Sequence, residues 1–384
     1  MMNQGAQNLL QNCARLREGD RVLILHEPAG LTYYDASITA GIADCAREMG
    51  VEARIEEVPF EASVHGFSKT VRSWMAGADK TIFLARIGDQ LRFSDLAEGA
   101  EAIVSYALSE KMLASPFATA HYDAFYELKR CIDVMMAEAE EVEVTCPRGT
   151  SFSGAGQRQV VEEDVRIRRF PISVHIPQSA TQFSGQAALP GFLVGTGSRY
   201  YDPYFVEFDG LVMAHFEAGR ISGFEGPDES VKAVKAHYDY VAGLFDIDRD
   251  FIHSWHAGMH PGCAFDMPIG DSYDRWTGSA FGNPRLLHFH TCGAYAPGEI
   301  SWNIVDPTVT IDGVAVWEEG VLHGARVPGG AAILDAYPCA RAAFENPARY
   351  IGFRQAVRGV PALHLCDSST FCGSARVTLS GDDV

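Results

Sequence analysis

The chain has 384 residues, 47% of them hydrophobic and 21% charged, a composition that belongs to globular proteins and excludes extensive disorder. Its formal net charge of −19 would repel a phosphate backbone over most of the surface, so nucleic acid is not expected as a partner. Apolar runs such as Val22 to Leu25 and Thr81 to Ala85 are strand-sized, far short of the roughly 18 to 20 residues that cross a bilayer, so no membrane partner is expected either. The first residues carry Gln, Asn, Arg and Glu without a hydrophobic signal segment, and the nine cysteines form no CxxC or paired framework. Both point to a reduced, cytoplasmic setting. A chain of this length suggests two packed units or one large one.

In chain order, Asn8 to Leu16 reads as a short amphipathic helix and Arg21 to His26 as a strand. Ala36 to Met49 has helical spacing at Ile38, Ile42, Cys45 and Met49, with Gly50 placed as its C-terminal cap. Strands follow at Glu52 to Val58, Lys80 to Leu84 and Ala102 to Tyr106, with a helix around Lys69 to Ala76. Such alternation predicts a parallel, doubly wound sheet. Glu27-Pro-Ala-Gly30 is not GxGxxG, so no phosphate loop opens it. Asp123 to Glu138 reads as a helix with Phe125, Leu128, Cys131, Ile132 and Met135 on one side.

Beyond it the pattern turns to β structure, with strands at Glu141 to Cys146 and Asp164 to Arg169. The expected organisation is therefore an α/β N-terminal domain with a parallel sheet, residues 1–150, and a β-rich α+β C-terminal domain, residues 151–384. Two segments echo each other, Phe208-Asp-Gly to Gly219 and Ile311-Asp-Gly to Gly320. Each places Asp-Gly, the preferred pair of a tight hairpin turn, ahead of an alternating strand. Between them Ser230 to Leu244 reads as a helix. The tail from Ala331 has a helical piece at Ala340 to Glu345, stopped by Pro347.

Chemistry concentrates between Phe251 and Asn303. Five of the thirteen histidines lie there: His253, His256, His260, His288 and His290. Imidazole is the side chain best suited to a first-row transition metal, so their density in an acidic chain points to a metal centre. Gly258, Pro261 and Gly262 rule out the helical histidine pair of a zincin. Leu286 to His290 reads as a strand, on which His288 and His290, two apart, share a face. His256, His288 and His290 are the expected metal ligands, with His260 as an alternative third ligand or a catalytic acid/base. Set beside this, His253 reads as a surface residue, and any one of the others as an ordinary hydrogen-bonded core histidine. Cys263 and Cys292, close to candidate ligands, read foremost as small buried hydrophobes.

The order of elements resembles the aminopeptidase T-like metallopeptidases and the 2,5-dihydroxypyridine 5,6-dioxygenases that share their fold. The likeness rests on weak motifs across roughly residues 20–325: Val144-Thr-Cys-Pro-Arg-Gly-Thr150, the hairpin ending Phe216-Glu-Ala-Gly-Arg-Ile221, the histidine stretch and the second Asp-Gly hairpin. The resemblance places His256 at the first histidine of the dioxygenases, and His288 or His290 at the strand histidine of the peptidases. Two positions depart from it. Pro190-Gly-Phe-Leu193 has no Glu where the peptidases carry one, and Ser301-Trp-Asn303 stands at the family's His-x-Asp.

Loss of bridging carboxylates argues against a two-metal peptidase and for a single ion. The resemblance thus implies a mononuclear dioxygenase, with Fe(II) as cofactor ahead of Zn, Mn or Co. Its substrates would be O₂ and a small hydroxylated aromatic or N-heteroaromatic molecule, and it would form a homo-oligomer. A metal-dependent hydrolase using the same residues is the alternative. A scaffold with a decayed site is the third reading, opposed by the gain of histidines around the lost positions. Glu299 and Asp306 are the carboxylates nearest in sequence that could complete the site. Trp255, Phe265, Phe289, Tyr295 and Trp302, with the cluster Tyr200, Tyr201 and Tyr204, are candidates to line a flat pocket or to form core.

Overall fold

The computed structural model describes residues 4–62, 64–96, 98–157, 166–195, 199–293 and 297–353. Strands β1 (Arg21–His26), β2 (Glu52–Glu57), β3 (Lys80–Leu84) and β4 (Ala102–Ser105) alternate with helices such as Ala36–Glu48 and Lys69–Ala76. β5 (Val142–Thr145) and β6 (Ser151–Gly154) leave for a different sheet, and β7 (Ile167–Phe170) returns to pair with β4. The result is a five-stranded, all-parallel sheet of order β2-β1-β3-β4-β7. All the apolar residues of β1, β3 and β4 are buried, as helices covering both faces of a parallel sheet require. The edge strand β2, rich in Glu and Arg, is largely exposed, which discourages pairing with another chain. The chain therefore leaves the parallel sheet twice, once before and once after the boundary expected near residue 150. The part of the expected strand at Asp164 to Arg169 that precedes residue 166 lies outside the described residues.

The rest of the chain builds two antiparallel sheets. β8 (Gln178–Ser179), β9 (Phe183–Leu189), β10 (Phe192–Gly195), β11 (Phe205–Glu207), β12 (Val212–Glu217) and β13 (Arg220–Glu225) come before the long helix Asp228–Phe245. After it follow β14 (Ile252–Ala257), β15 (Leu286–Thr291), β16 (Ile300–Val305), β17 (Thr308–Ile311), β18 (Val314–Glu318) and β19 (Val321–Leu322). One sheet runs β13-β12-β9-β6-β5-β17-β18-β19, the other β11-β10-β16-β15-β14-β8. Both echoing segments lie in the eight-stranded sheet. Asp312 and Gly313, at φ 45° and 80°, make the β17–β18 turn as read from the sequence. Asp209-Gly210 does not make a hairpin: it links β11 and β12, which lie in different sheets, and Ala218-Gly219 makes the β12–β13 turn instead. Among the described residues no helix is long and apolar enough to cross a membrane.

Register makes the six-stranded sheet two-faced. Trp255, Phe289 and Trp302 pair across β14, β15 and β16 in one row, and His256, His288 and Asn303 pair in the next. Successive residues of a strand point to opposite faces, so the aromatic row enters the core and the polar row faces away from it. Trp255, Phe289 and Trp302 are fully buried and pack against Phe152, Phe183 and Phe216 of the eight-stranded sheet, with ring centroids 5.1–6.1 Å apart. These aromatics are sandwich core, not pocket lining. Phe265 is buried in a separate apolar cluster beside Trp276 and Phe353.

A buried ion pair joins the α/β unit to the rest. Glu27 follows β1 and Arg86 follows β3, both at the carboxyl edge of the parallel sheet, with side chains only 3% and 6% exposed. Arg86 Nη2 and Nε donate to Glu27 at 2.8–3.1 Å, and its backbone N–H donates to Glu27 Oε1 at 2.6 Å. The guanidinium lies 3.7 Å from the Phe60 ring centroid and 4.6 Å from that of Tyr33, and its Nη1 is 3.7 Å from Asp274 in the helix Tyr273–Thr277. Removing one partner of such a pair strands a buried charge. Glu27→Ala is expected to lower unfolding free energy by about 3 kcal/mol in urea titrations, and Glu27→Ala with Arg86→Met to recover most of that loss.

Candidate metal centre

The polar face of the six-stranded sheet carries the histidines. His256 on β14 stands directly opposite His288 on β15, and His290 follows two residues on. Their side chains converge: His256 Nε2 is 2.6 Å from His288 Nε2 and 3.1 Å from His290 Nε2. One ligand atom from each lies within 4.8 Å of the others. Two nitrogens each about 2.1 Å from one first-row ion sit roughly 3.0–3.4 Å apart, so the longer spacing matches a shared ion and the shorter is a little tight. Burial, chiefly, and mutual repulsion hold the pKa of His256 and His288 well below the ordinary range, so both rings are neutral with a lone pair to offer. Neutral, convergent, buried imidazoles are the donor set a transition metal requires.

The rings are oriented from behind. His256 Nδ1 faces the His175 carbonyl at 3.4 Å, leaving Nε2 as the atom turned to the cluster. His175 is itself fixed, its Nδ1 donating to the Ile176 carbonyl at 2.8 Å and its Nε2 accepting from Ala257 N–H at 3.0 Å. Burial pushes its pKa down to about 4. Glu299 Oε1 lies 2.9 Å from His290 Nδ1, within ion-pair distance but not aligned as a hydrogen bond, the pairing that in carboxylate–histidine–metal sites raises a ligand's basicity once aligned. Glu299 thus stands behind a candidate ligand and not among the Nε2 atoms. Asp306 is engaged elsewhere, in a bidentate pair with Arg285 at 2.6 and 2.7 Å.

Other expected residues fall away from the cluster. His260 is fully buried, stacked on Phe125 at 3.7 Å and edge-on to Phe117 at 4.9 Å, and it is not among the residues lining the cavity. Gly258 and Pro261 carry the chain off the sheet after β14, so the four-residue spacing from His256 becomes a separation in space. His253 is half-buried and contacts Ser254 Oγ at 2.8 Å. Cys263 and Cys292 are buried thiols whose pKa burial pushes up, that of Cys292 to about 12, so neither offers a thiolate. Tyr200 lines the cavity, while Tyr201 and Tyr204 are buried beside it. Tyr295 lies outside the described residues.

The cavity over the cluster has two walls. From the sheet come the three histidines, Glu299, Ser301 and Asn303, the last two sitting opposite His290 and His288 on β16. From the carboxyl edge of the parallel sheet come Tyr33 after β1, Asp89 and Arg92 after β3, Tyr106 after β4, and Arg169 near the end of β7. Trp276 and Phe281 add flat apolar surface. Outside the carboxyl ends of parallel strands is where α/β folds bind ligands. Asp89 accepts from Tyr106 Oη at 2.6 Å, and its carbonyl accepts from Arg92 at 2.8 Å. The sequence reading missed Asp89, Arg92, Tyr106 and Arg169. For Asp89, Arg92 and Tyr106 the one available signal was a position at or just after the end of a predicted parallel strand; Arg169 had none, since its strand was expected in the β-rich part of the chain.

The fold has counterparts among solved structures. The 2,5-dihydroxypyridine dioxygenase of Pseudomonas putida KT2440 aligns with a TM-score of 0.58 at 14% identity, covering 85% of this chain and 98% of that one. AmpT of Thermus thermophilus aligns with a TM-score of 0.45 at 11% identity, over 84% and 98% of the two chains. In sequence, no family model and no curated protein matches. The resemblance read from the motifs therefore holds at the level of the fold.

Two variants test this geometry. Glu299→Gln is expected to weaken divalent-metal affinity about 10–100-fold while leaving the melting temperature of the metal-free protein nearly unchanged, measured by competition with a chromogenic chelator. His260 has its pKa lowered from 6.5 to about 3 by burial, so the unfolded chain takes up this proton first as pH falls. The stability its neutral ring contributes is complete above pH 6.5 and drains away on acidification toward pH 3. His260→Phe is expected to lose about 3 kcal/mol less stability than the wild type between pH 6.5 and 4, and to retain full metal content.

Proposed function

We propose that this protein is a mononuclear metal-dependent oxygenase, with Fe(II) held by His256, His288 and His290, that cleaves a small hydroxylated aromatic or N-heteroaromatic ring. The observation that carries the reading is the convergence of three buried imidazole nitrogens on one wall of an aromatic-lined cavity. Three ligands on one side leave positions free for substrate and O₂. When bound, a redox-active ion would let electrons pass from the ring to O₂, the ring being oxidised and O₂ reduced. The protein's part is to place and poise that ring.

Phe281, half-buried on the cavity wall, offers a surface against which an aromatic substrate stacks, and Trp276, only 2% exposed, backs that wall. Ser301 and Asn303, standing where the family has His-x-Asp, present neutral hydrogen-bonding groups to substrate polar atoms beside the histidines. The acid/base role that the sequence suggested for His260 passes to a cavity residue. Asp89, already accepting a hydrogen bond from Tyr106, is the carboxylate we assign to receive the substrate hydroxyl's proton. Aromatic walls and burial of the histidines keep bulk water from the reacting ring.

Protein purified without chelator is expected to hold about one iron per chain, with metal lost in each of His256→Ala, His288→Ala and His290→Ala. Oxygen-electrode traces should show O₂ uptake with a dihydroxylated pyridine or benzene ring, abolished by chelation and restored by Fe(II). Stoichiometric zinc, with turnover indifferent to anaerobiosis, would instead select a hydrolase and sink the oxygenase reading.

A further inference from the structure

Arg169 is the cavity residue that the reading above leaves without a task. It lies on β7, where alternation sends its neighbour Arg168 to Glu101 and the Cys13 carbonyl, at 2.7 and 3.2 Å, and turns Arg169 to the cavity. Among the described residues its guanidinium makes no ion pair, and its buried Nε has no hydrogen-bond partner. Arg92 also leaves its buried Nε without a hydrogen-bond partner, but its charge is matched by Asp89 at 3.4 Å. Arg169 lines the same cavity as His256, His288 and His290, so it faces the same space as the histidines. A cation there weakens the binding of another cation, and a half-buried guanidinium without an anion is itself costly. Both penalties are lifted by one anion seated between them.

We propose that Arg169 is a carboxylate-binding residue, and that the substrate is a hydroxylated aromatic or N-heteroaromatic ring that also bears a carboxylate. The planar fork of the guanidinium matches a carboxylate with two parallel N–H bonds. Held this way at the β7 edge, the ring lies against Phe281 with its hydroxyl toward the histidines. In a chain of net charge −19, Arg169 also supplies the local positive field an anionic ligand needs to enter. The ring and hydroxyl half of the assignment rests on the proposed oxygenase function; the carboxylate half does not.

Matched probes separate the two: 2,5-dihydroxybenzoate against 1,4-dihydroxybenzene, and 3-hydroxypyridine-2-carboxylate against 3-hydroxypyridine. Affinities are measured by anaerobic calorimetry on the full chain, both iron-loaded and chelator-stripped. Wild-type protein is expected to bind the carboxylate-bearing member of each pair at least about tenfold more tightly, in both metal states. Arg169→Gln should shrink that ratio to roughly threefold or less with an unchanged melting temperature, and Arg169→Lys should restore part of it as a point charge without the fork. Equal affinity within the pairs overturns the proposal, as does a ratio unaffected by Arg169→Gln, or no binding of either carboxylate. A preference that persists in the stripped protein while no metal dependence of turnover is found would uphold the carboxylate site and defeat the oxygenase reading.

Discussion

Three imidazole nitrogens held 2.6 and 3.1 Å apart in a buried site set the terms for everything around them. Lone pairs turned toward one another at that separation would repel, while protonating His256 or His288 is costly because burial and the neighbouring charges oppose it. An N–H···N hydrogen bond in one tautomer relieves the contact, and on the function proposed above a shared cation would relieve it as well. The sheet enforces this convergence through register. Trp255, Phe289 and Trp302 are locked into the sandwich core, so the histidine row cannot move by one residue without exposing three large aromatics. Burial of those aromatics, on the order of several kcal/mol in all, thus holds the histidines in place.

The second wall is supplied by topology. A parallel sheet gathers the ends of all its strands at one edge, so residues far apart in sequence, from Tyr33 to Arg169, arrive together. The Arg86–Glu27 pair at that same edge, reaching Asp274 beside Trp276, fixes how the edge meets the antiparallel sheet. Closing the site therefore depends on a contact that touches neither the histidines nor the lining arginines.

Much of this was legible in the sequence, and what was not has physical reasons. Strand and helix bounds in the first 140 residues agree with the structure to within a residue or two for most elements, because alternation and helical spacing are local signals. His288 and His290 could be placed on one face for the same reason. His260 was misplaced because spacing along the chain says nothing of direction once Gly258 and Pro261 break the strand. The aromatics were ambiguous, since in a strand the residue beside a ligand is as near in sequence as it is opposite in space. Arg169 and Asp89 carried no local signal at all, being brought to the cavity by pairing between strands.

Charge accounting ties the histidine cluster to the residues around it. Ser301 and Asn303 sit opposite His290 and His288 and bring no charge, and burial keeps His256 and His288 neutral. On the function proposed above, a divalent ion would bring two positive charges. Glu299, behind His290, returns one, and Arg169 adds one back, while Arg92 and Asp89 cancel. Two positive charges then remain in a cavity of low polarizability, where uncompensated charge is expensive. A neutral substrate leaves that excess standing, and a singly ionised phenol leaves half of it. On that same proposal, a carboxylate on the ring would offset one of these charges, and its ionised hydroxyl would offset the other once the proton received by Asp89 has passed on to solvent, so metal binding and substrate selection would share one electrostatic requirement.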